Sequence, residues 1–404
     1  MKNRSSFWKS LLAVTLLVAP FLLLQLQPDF SSGTVRVRLG IDEATKVFGS
    51  LILFIALLRI ISKIFHKRSF SWPQWFTSDR WGKIEEDGRI TYGFALVMLL
   101  LGVFLAEQTM ALDMLTRLGF YMMLAAGLNI AIGMAGLLVL GYAGFYMSGA
   151  YLYAITVSHW SFVSWWMMLV PAFILGAGIG WIVGLPSLKL RGDYLALVTL
   201  GFAEGLRELA RNLTSWTGGD KGISIPWQSK FVNCAWLNSS QMAYFVTVLG
   251  VVATIVFAYR LYHSRIGRAW VAIREDELAA SAMGVPVVQM KLLAFALSAG
   301  VAAVAGVIYT TYIGFVDPSL GVLEQSVLVL TMVILGGLGS ISGALLGSAL
   351  LFVIPEFLRF NLPQLADYRL FLFGAVMVVM MLGRPQGLLG SHRRKYEMMG
   401  EEET

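Results

Sequence analysis

The residue types that most often perform chemistry are rare in this sequence and stand far apart. Its one cysteine, Cys234, excludes an internal disulfide and a cysteine-rich metal site. The four histidines form no His-x-x-His pair, which leaves haem, zinc and di-metal centres without a ligand set. These histidines are His66, His159, His263 and His392. We therefore predict neither catalytic residues nor a metal site, and a membrane-bound enzyme is the least favoured class.

The glycine-rich stretch Leu335–Gly347 has the composition of a phosphate-binding loop but not its pattern. It lacks the Lys-Ser/Thr pair that must follow, and Gly-x-x-x-x-Gly-Lys-Ser/Thr occurs nowhere in the chain. The spacing of Gly343 and Gly347 instead predicts close helix packing through small residues, or a tight re-entrant turn. The same spacing recurs at Gly176, Gly180 and Gly184. We therefore expect no ATP site in this chain.

The hydrophilic segment Ser264–Pro286 is patterned like a folded element. Its acidic run, Glu275–Glu277, predicts the start of a short helix, where negative charge meets the positive end of the helix dipole. Gly284 predicts a left-handed C-terminal cap, and Pro286 prevents continuation of the helix. A small apolar stripe lies between them, formed by Leu278, Ala279, Ala282 and Met283. Two interpretations stay open on this pattern: an ordinary amphipathic surface helix, or a helix on which a cytoplasmic protein docks.

The elements that position these segments are membrane helices. Of the 404 residues, 57% are hydrophobic and 14% are charged, and the mean hydropathy is +0.71. Soluble domains average about 45–50% apolar and about 25% charged residues, so a soluble enzyme is excluded. A span needs about 20 apolar residues, and about twelve segments approach that length, several of them short enough to be re-entrant or broken. They are Leu11–Gln27, Val47–Ile61, Tyr92–Ala106, Leu115–Met134, Leu138–Val157, Val163–Leu185, Tyr194–Leu209, Met242–Tyr259, Leu292–Ile313, Ser326–Ile341, Ala344–Leu358 and Leu370–Gly383.

Lysine and arginine residues collect in alternate loops, as expected for cytoplasmic loops of a membrane protein. With the N-terminus inside, the inside loops 62–89, 186–192 and 261–290 hold basic clusters, as does the segment after Arg384. The main exceptions are Arg36, Arg38 and Lys46. We predict a multi-pass protein with both termini in the cytoplasm. The net charge of +7 then reflects basic residues at one membrane face, and we expect no binding of nucleic acid.

A change of composition near Ile90 divides the chain. Residues 1–90 are predicted to form an N-terminal extension with two membrane helices and a cytoplasmic linker. Its first helix has no small-x-small cleavage site after it and is interpreted as an uncleaved signal anchor, with a cleaved signal peptide as the alternative. Residues 91–390 form the predicted core, which contains a cytoplasmic loop at 261–290, and residues 391–404 form a cytoplasmic tail.

Two glycine-rich interruptions of apolar runs, Gly133–Gly149 and Gly336–Gly347, are typical of the irregular backbone that transporters place around a path. No buried chain of carboxylates is present, which counts against a proton- or sodium-driven pump. The charged cluster Glu204–Arg211 has spacings that favour pairing along one helix, with a gate or partner contact as the alternative. The predicted path-lining residues are Asn129, Gly133, Gly141, Gly144, Gly149, Gly336, Gly337 and Gly339.

Several motifs, in this order along the core, resemble the larger permease subunit of bacterial ABC importers for branched-chain amino acids. They are Gly127–Ile130, Gly136–Tyr153, Leu190–Phe202, Thr217–Ile223, Ala272–Ala280, Phe315–Pro318, Val333–Ser340 and Arg384–Leu388. The resemblance implies an all-α polytopic membrane protein. It implies a permease core of about ten helices, similar to that of B12 and iron importers, with the coupling loop between the sixth and seventh. The N-terminal extension resembles that of the longer family members.

The resemblance also implies partners and a docking element. The partners are a second, shorter permease subunit, two cytoplasmic ATPase subunits that use ATP and Mg, and a periplasmic amino-acid-binding protein. The location implied is the bacterial inner membrane. The implied coupling residues are Arg274, Glu275, Asp276, Glu277, Leu278, Ala279, Ala280 and Gly284. Leu278 occupies the place where importers usually carry glutamate, so the acidic residue that pairs with the ATPase stays open.

Two other functions share part of this pattern. A permease subunit of a urea or short-amide importer has similar motifs. A secondary transporter would work alone, without an ATPase or a binding protein.

Overall fold

The computed structural model describes residues 24–29, 34–39, 109–160, 163–187, 193–225, 239–361, 374 and 387–388. The predicted segments Val47–Ile61, Tyr92–Ala106 and Leu370–Gly383 lie outside these residues, as does the tail 391–404. The chain divides into two compact units, residues 1–78 and residues 79–404, and each is described by itself.

The described part of the first unit is a pair of antiparallel strands, β1 (Leu24–Asp29) and β2 (Thr34–Leu39), with Leu24 opposite Leu39. The predicted helix Leu11–Gln27 is therefore wrong at residues 24–27. Apolar and polar residues alternate from Leu24 to Gln27, and this period of two is the pattern of a strand rather than of a membrane helix. The other residues of that predicted helix lie outside the described part of the chain.

The second unit is helical. Its helices are α1 (Thr109–Asn129), α2 (Tyr142–His159), α3 (Leu169–Ser187), α4 (Asp193–Asn212), α5 (Thr214–Thr217), α6 (Ser239–His263), α7 (Arg265–Glu275), α8 (Glu277–Ala282), α9 (Val287–Ile313), α10 (Leu323–Gly336) and α11 (Ile341–Asn361). Short 3₁₀ turns lie at Trp165–Met168, Gly219–Lys221 and Pro318–Gly321. Strands β3 (Ile223–Ser224) and β4 (Phe315–Val316) form a two-residue antiparallel pair.

Four helical segments of the described residues are long and apolar enough to cross a membrane. They are Ala111–Met134, Trp165–Leu185, Ser240–His263 and Val287–Ile313. α9 is the central helix, and it packs against α1, α2 and α3. In its most apolar 18-residue stretch, 78% is buried inside the protein. In the corresponding stretch of the segment that contains α3, only 28% is buried. α3 therefore presents an apolar face to its surroundings, as a helix in lipid does.

Small residues let α3 and α9 approach closely, as their spacing predicts. A Cβ atom added at Gly176 would lie 2.6 Å from the carbonyl oxygen of Ala299, and one at Gly180 would lie 2.7 Å from the Cβ atom of Ala299. A Cβ at Gly343 would lie 2.5 Å from the carbonyl oxygen of Gly336, so the predicted small-residue contact between α10 and α11 is also confirmed.

The structure places irregular backbone at both of the predicted glycine-rich interruptions. α1 ends at Asn129 and passes into a π-helical turn, Ile130–Met134. The predicted span Ser326–Ile341 is broken, because α10 ends at Gly336 and α11 begins at Ile341. The described helices are those of a multi-pass membrane protein. The count of ten core helices extends into residues outside the described ranges and stays a prediction.

Candidate functional site

α7 and α8 form the folded element that the pattern of residues 264–286 predicts. Ser264 is the N-cap of α7, and its hydroxyl oxygen accepts a hydrogen bond from the backbone N–H of Gly267 at 3.2 Å. Trp270, at the middle of α7, is fully buried, and its indole Nε1 donates to the carbonyl oxygen of Met290 at 2.7 Å. This side chain anchors α7 against the first turn of α9.

α8 is short, and both of its ends are capped. The Asp276 carboxylate accepts hydrogen bonds from the backbone N–H groups of Leu278 and Ala279, at 2.8 and 3.0 Å. At the other end Gly284 has φ +81°, its N–H donates to Ser281, and the Val285 N–H donates to Ala280. These two backbone bonds form a Schellman motif, which requires a left-handed residue at the position of Gly284. The predicted C-cap role of Gly284 is confirmed, and the prediction that the acidic run starts a short helix holds for Asp276 and Glu277 but is wrong for Glu275, which ends α7.

The predicted apolar stripe of α8 points away from the bundle. Leu278 is 81% exposed and Met283 is 85% exposed, and Ala279 and Ala282 are exposed beside them. On the opposite side Ala280 is buried with Ile273 of α7 and Val287 of α9. A helix of six residues is marginal in isolation. Its caps and this buried contact therefore hold it as a rigid knob with an apolar outer face.

The three acidic residues of this element have different surroundings. Glu275 is the last residue of α7, Asp276 caps α8, and Glu277 forms an ion pair with Lys291 of α9. In the described part of the chain, Glu275 is the member of this run for which no cap or ion pair is found, and it is exposed.

Arg274 points inward from α7 rather than toward the outer face of α8. Its Nη1 donates to the carbonyl oxygen of Gly133, in the π-helical turn after α1, at 2.6 Å. Gly136 and Gly339 flank the side chain. A Cβ atom added at Gly136 would lie 2.7 Å from Arg274 Cγ, and one added at Gly339 would lie 3.0 Å from Arg274 Nη1. α7 is thereby connected to both glycine-rich interruptions.

Asn129 joins these two interruptions directly. It is fully buried; its amide nitrogen donates to the carbonyl oxygen of Ser340 at 3.1 Å, and its amide oxygen accepts from the N–H of Gly339 at 3.0 Å. Gly339 has φ +86° and Gly337 has φ +121°, conformations that favour glycine. The backbone of residues 337–340 thus depends on a side chain from α1.

The irregular backbone between α1 and α2 is also satisfied by side chains. The N–H of Leu140 donates to the Thr199 hydroxyl at 3.1 Å, and the N–H of Ala143 donates to the Ser326 hydroxyl at 2.9 Å. Non-helical backbone at membrane depth requires such partners, because lipid offers none. These hydroxyl groups come from α4 and α10, so four helices meet at the break.

The remaining predicted path-lining glycines lie at close contacts between elements. Gly141 faces the Thr199 carbonyl of α4, Gly144 faces Ala203 of α4, and Gly149 faces the Ala303 carbonyl of α9. Gly336 and Gly337 lie against Gly343 and Gly387, respectively. Asn129, Gly133 and Gly339 are the members of the predicted set that come together with Arg274.

The charged cluster at the end of α4 is paired along the helix. Arg207 contacts Glu204 at 2.6 Å, and Arg211 lies 3.8 Å from Glu208 and 3.1 Å from Asp220. The favoured interpretation of this cluster, mutual neutralisation along one helix, is confirmed.

Sequence reasoning missed two polar side chains that link helices, the buried Trp270 and the exposed Arg117. Trp270 was visible only as one aromatic residue in a hydrophilic loop. Arg117 lies inside the predicted span Leu115–Met134, and its guanidinium is hydrogen-bonded to Tyr312 of α9. The signal for Arg117 was present, since a single charge within an apolar run marks a specific interaction. Among the described residues, no group of three His, Cys, Asp or Glu side chains is placed to hold a metal ion.

Comparison with known proteins gives matches over the same helices. The family model described as branched-chain amino acid transport system / permease component matches residues 110–381. The high-affinity branched-chain amino acid transport system permease protein LivM of Salmonella typhimurium is 39% identical over 311 residues, which cover 71% of this chain and 72% of the relative. LivM of Escherichia coli is 39% identical over 309 residues, 71% of each chain.

A second kind of permease is more distantly similar. The corresponding LivH protein of Salmonella typhimurium is 26% identical over 289 residues, which cover 67% of this chain and 91% of the relative. No solved structure matches the chain.

Proposed function

This chain belongs to the family of permease components of branched-chain amino acid transport systems, and from that premise we propose its role in a complete transporter. It is the larger permease subunit of an ATP-driven importer that carries leucine, isoleucine and valine across the bacterial inner membrane. A shorter permease subunit, related to the LivH-type proteins that this chain resembles more distantly, forms the other half of the membrane pathway. Both termini of this chain lie in the cytoplasm.

The observation that carries the proposal is the capped knob formed by α8. A soluble surface helix normally turns polar residues outward, whereas α8 exposes Leu278 and Met283. An exposed apolar patch held on a rigid element is typical of a protein–protein contact. The partner proposed for this patch is a cytoplasmic ATPase subunit, one of two in the importer.

The surroundings of the acidic run support a separate role for Glu275. Asp276 and Glu277 are engaged within the chain, by the α8 cap and by Lys291. Glu275 is exposed next to the apolar knob, which supports its pairing with a basic residue of the ATPase. A rim charge of this kind affects the rate and salt dependence of association more than its final strength.

The ATPase subunits are the ones that bind ATP and Mg, and they supply the free energy. Nucleotide can shift the permease between two conformations only through a difference in affinity for them. A reversal of the populations from 1:99 to 99:1 requires about 5.5 kcal/mol of differential binding. A rigid α8 is suited to deliver such a difference, because force applied to it is not absorbed by local unfolding.

The glycine-rich interruptions are proposed to line the amino acid path. The support is their meeting through Asn129, Gly133 and Gly339 at the end of the bundle that carries α8. Irregular backbone that lines a path is also the usual place for substrate contacts in transporters.

Reconstitution tests the proposal. Proteoliposomes containing this chain, the shorter permease and the ATPases are given the amino-acid-binding protein, ATP and labelled leucine or urea. We expect uptake of leucine that requires ATP and the binding protein. Uptake of urea instead of leucine would assign the chain to a short-amide importer. Uptake by vesicles that carry this chain alone, without ATP, would identify a secondary transporter.

A further inference from the structure

The contact between Arg274 and Gly133 lies where helix α1 loses its regular hydrogen bonding. In a continuous α-helix the Gly133 carbonyl would accept from the N–H of Leu137, four residues later. That N–H instead donates to the carbonyl of Ala131, at 3.0 Å. The Gly133 carbonyl is thus free of this helical hydrogen bond. The Arg274 guanidinium donates a hydrogen bond to it instead, at 2.6 Å.

The chemistry of this contact favours a fixed geometry. The carbonyl groups at the end of a helix carry a partial negative charge, and a cation beside them is stabilised. A guanidinium is planar and holds five N–H donors in a fixed arrangement, so its position is defined more closely than that of a lysine ammonium. Arg274 is also half-buried, which limits competition from water.

The same side chain touches the second interruption. Gly339 leaves room for Nη1, since an added Cβ at that residue would lie 3.0 Å from it. Gly339 and Ser340 are in turn hydrogen-bonded to Asn129. Asn129 is the last residue of α1 and lies one turn before Gly133. Arg274 therefore lies at the point where α7, the π-helical turn and residues 337–340 meet.

We propose that Arg274 is a positioning residue that couples α8 to the two glycine-rich interruptions, and not a contact with the ATPase. Arg274 is followed directly by Glu275 and by the α8 cap Asp276, so a displacement of α8 moves the guanidinium with it. Through Gly133 the guanidinium then moves the end of α1, and through Asn129 it moves residues 337–340. This inference rests on the proposed function, because it requires an ATPase that acts on α8.

The test compares variants of the complete importer in proteoliposomes. Arg274→Gln removes the charge and the guanidinium, and Arg274→Lys keeps only the charge. The matched control is Arg268→Gln, an exposed arginine of the same helix whose Nη1 donates to the nearby His263 carbonyl at 3.3 Å. ATP hydrolysis and leucine uptake are measured on the same vesicles, and leucine imported per ATP hydrolysed is the quantity compared.

We expect Arg274→Gln to hydrolyse ATP at close to the wild-type rate while importing about tenfold less leucine per ATP, within the 5–150-fold range of allosteric coupling. Arg274→Lys should lose less, and Arg268→Gln should match the wild type. A lower amount of folded protein reduces both measurements and leaves their ratio unchanged, so the ratio separates coupling from stability. If Arg274→Gln does not fold, the ratio of Arg274→Lys decides.

Two results would overturn the inference. An unchanged ratio in both Arg274 variants would show that the contact is only structural. Loss of ATPase binding by the Arg274 variants would show that the residue belongs to the docking surface. If wild-type vesicles import no leucine, the proposed function itself fails, and the Arg274 variants are not needed to establish that.

Discussion

Asn129 and Gly339 lie 210 residues apart in the sequence and are joined by a hydrogen bond of 3.0 Å. The bond closes the gap between the end of α1 and the break that separates α10 from α11. Because the same amide also donates to Ser340, one buried side chain satisfies a donor and an acceptor of irregular backbone. The interior of a membrane bundle offers these groups few other partners.

Replacement of Asn129 by alanine is expected to destabilise the bundle. It leaves the Gly339 N–H and the Ser340 carbonyl buried without this partner, at a cost of about 1–3 kcal/mol for each group. Thermal unfolding of the protein in detergent should show a lower Tm than the wild type. Asn212→Ala is the control, since that asparagine is exposed and its hydrogen bonds to described residues stay within its own helix turn, to Glu208. Equal Tm values for the two variants would contradict this role of Asn129.

A charge on the outer face of α8 is expected to stop transport. Ala279 is exposed beside Leu278, so Ala279→Asp adds a carboxylate to the apolar knob without disturbing the bundle. An unpaired charge buried in an interface costs about 3–5 kcal/mol, which is more than a hundredfold in affinity. ATP-driven leucine uptake should be abolished while membrane insertion is unchanged. Ala279→Ser, which adds no charge, should transport normally; normal uptake by Ala279→Asp would remove the docking assignment.

The role of Asp276 can be separated into its charge and its cap. Asparagine caps helices about as well as aspartate, whereas alanine loses about 0.5–2 kcal/mol of helix stability. Asp276→Asn should therefore keep its affinity for the ATPase, and Asp276→Ala should lose several-fold as α8 frays. Co-purification of the ATPase in a titration measures this difference. Equal losses in both variants would show that the charge, and not the cap, is required.

The contact between α3 and α9 offers a matched pair of glycines. A Cβ at Gly180 would lie 2.7 Å from the Cβ atom of Ala299, whereas a Cβ at Gly178 has nothing within 4 Å. Overpacking costs about 1–3 kcal/mol, so Gly180→Leu should lower the Tm in detergent while Gly178→Leu leaves it close to the wild-type value. A similar loss at both positions would mean that helix propensity, and not the contact, explains the effect.

Much of the helical fold was accessible from local patterns. The predicted segment Leu292–Ile313 corresponds to α9, although α9 begins earlier, at Val287. Lys291 lowered the hydropathy of the first turn, but its ammonium group pairs with Glu277 and the helix continues through it. The strand β1 was missed because an apolar run preceded it and masked the alternation of Leu24–Gln27.

The sequence by itself determined the membrane class, the capped ends of α8 and the small-residue faces of α3 and α11. Each of these depends on residues within one or two helix turns, or on composition, and needs no knowledge of distant partners. The direction of the Arg274 side chain and the partners of Asn129 were decided only by the tertiary structure. Their hydrogen bonds connect residues 141, 210 and 211 positions apart, and a side chain finds such partners only after the helices have packed.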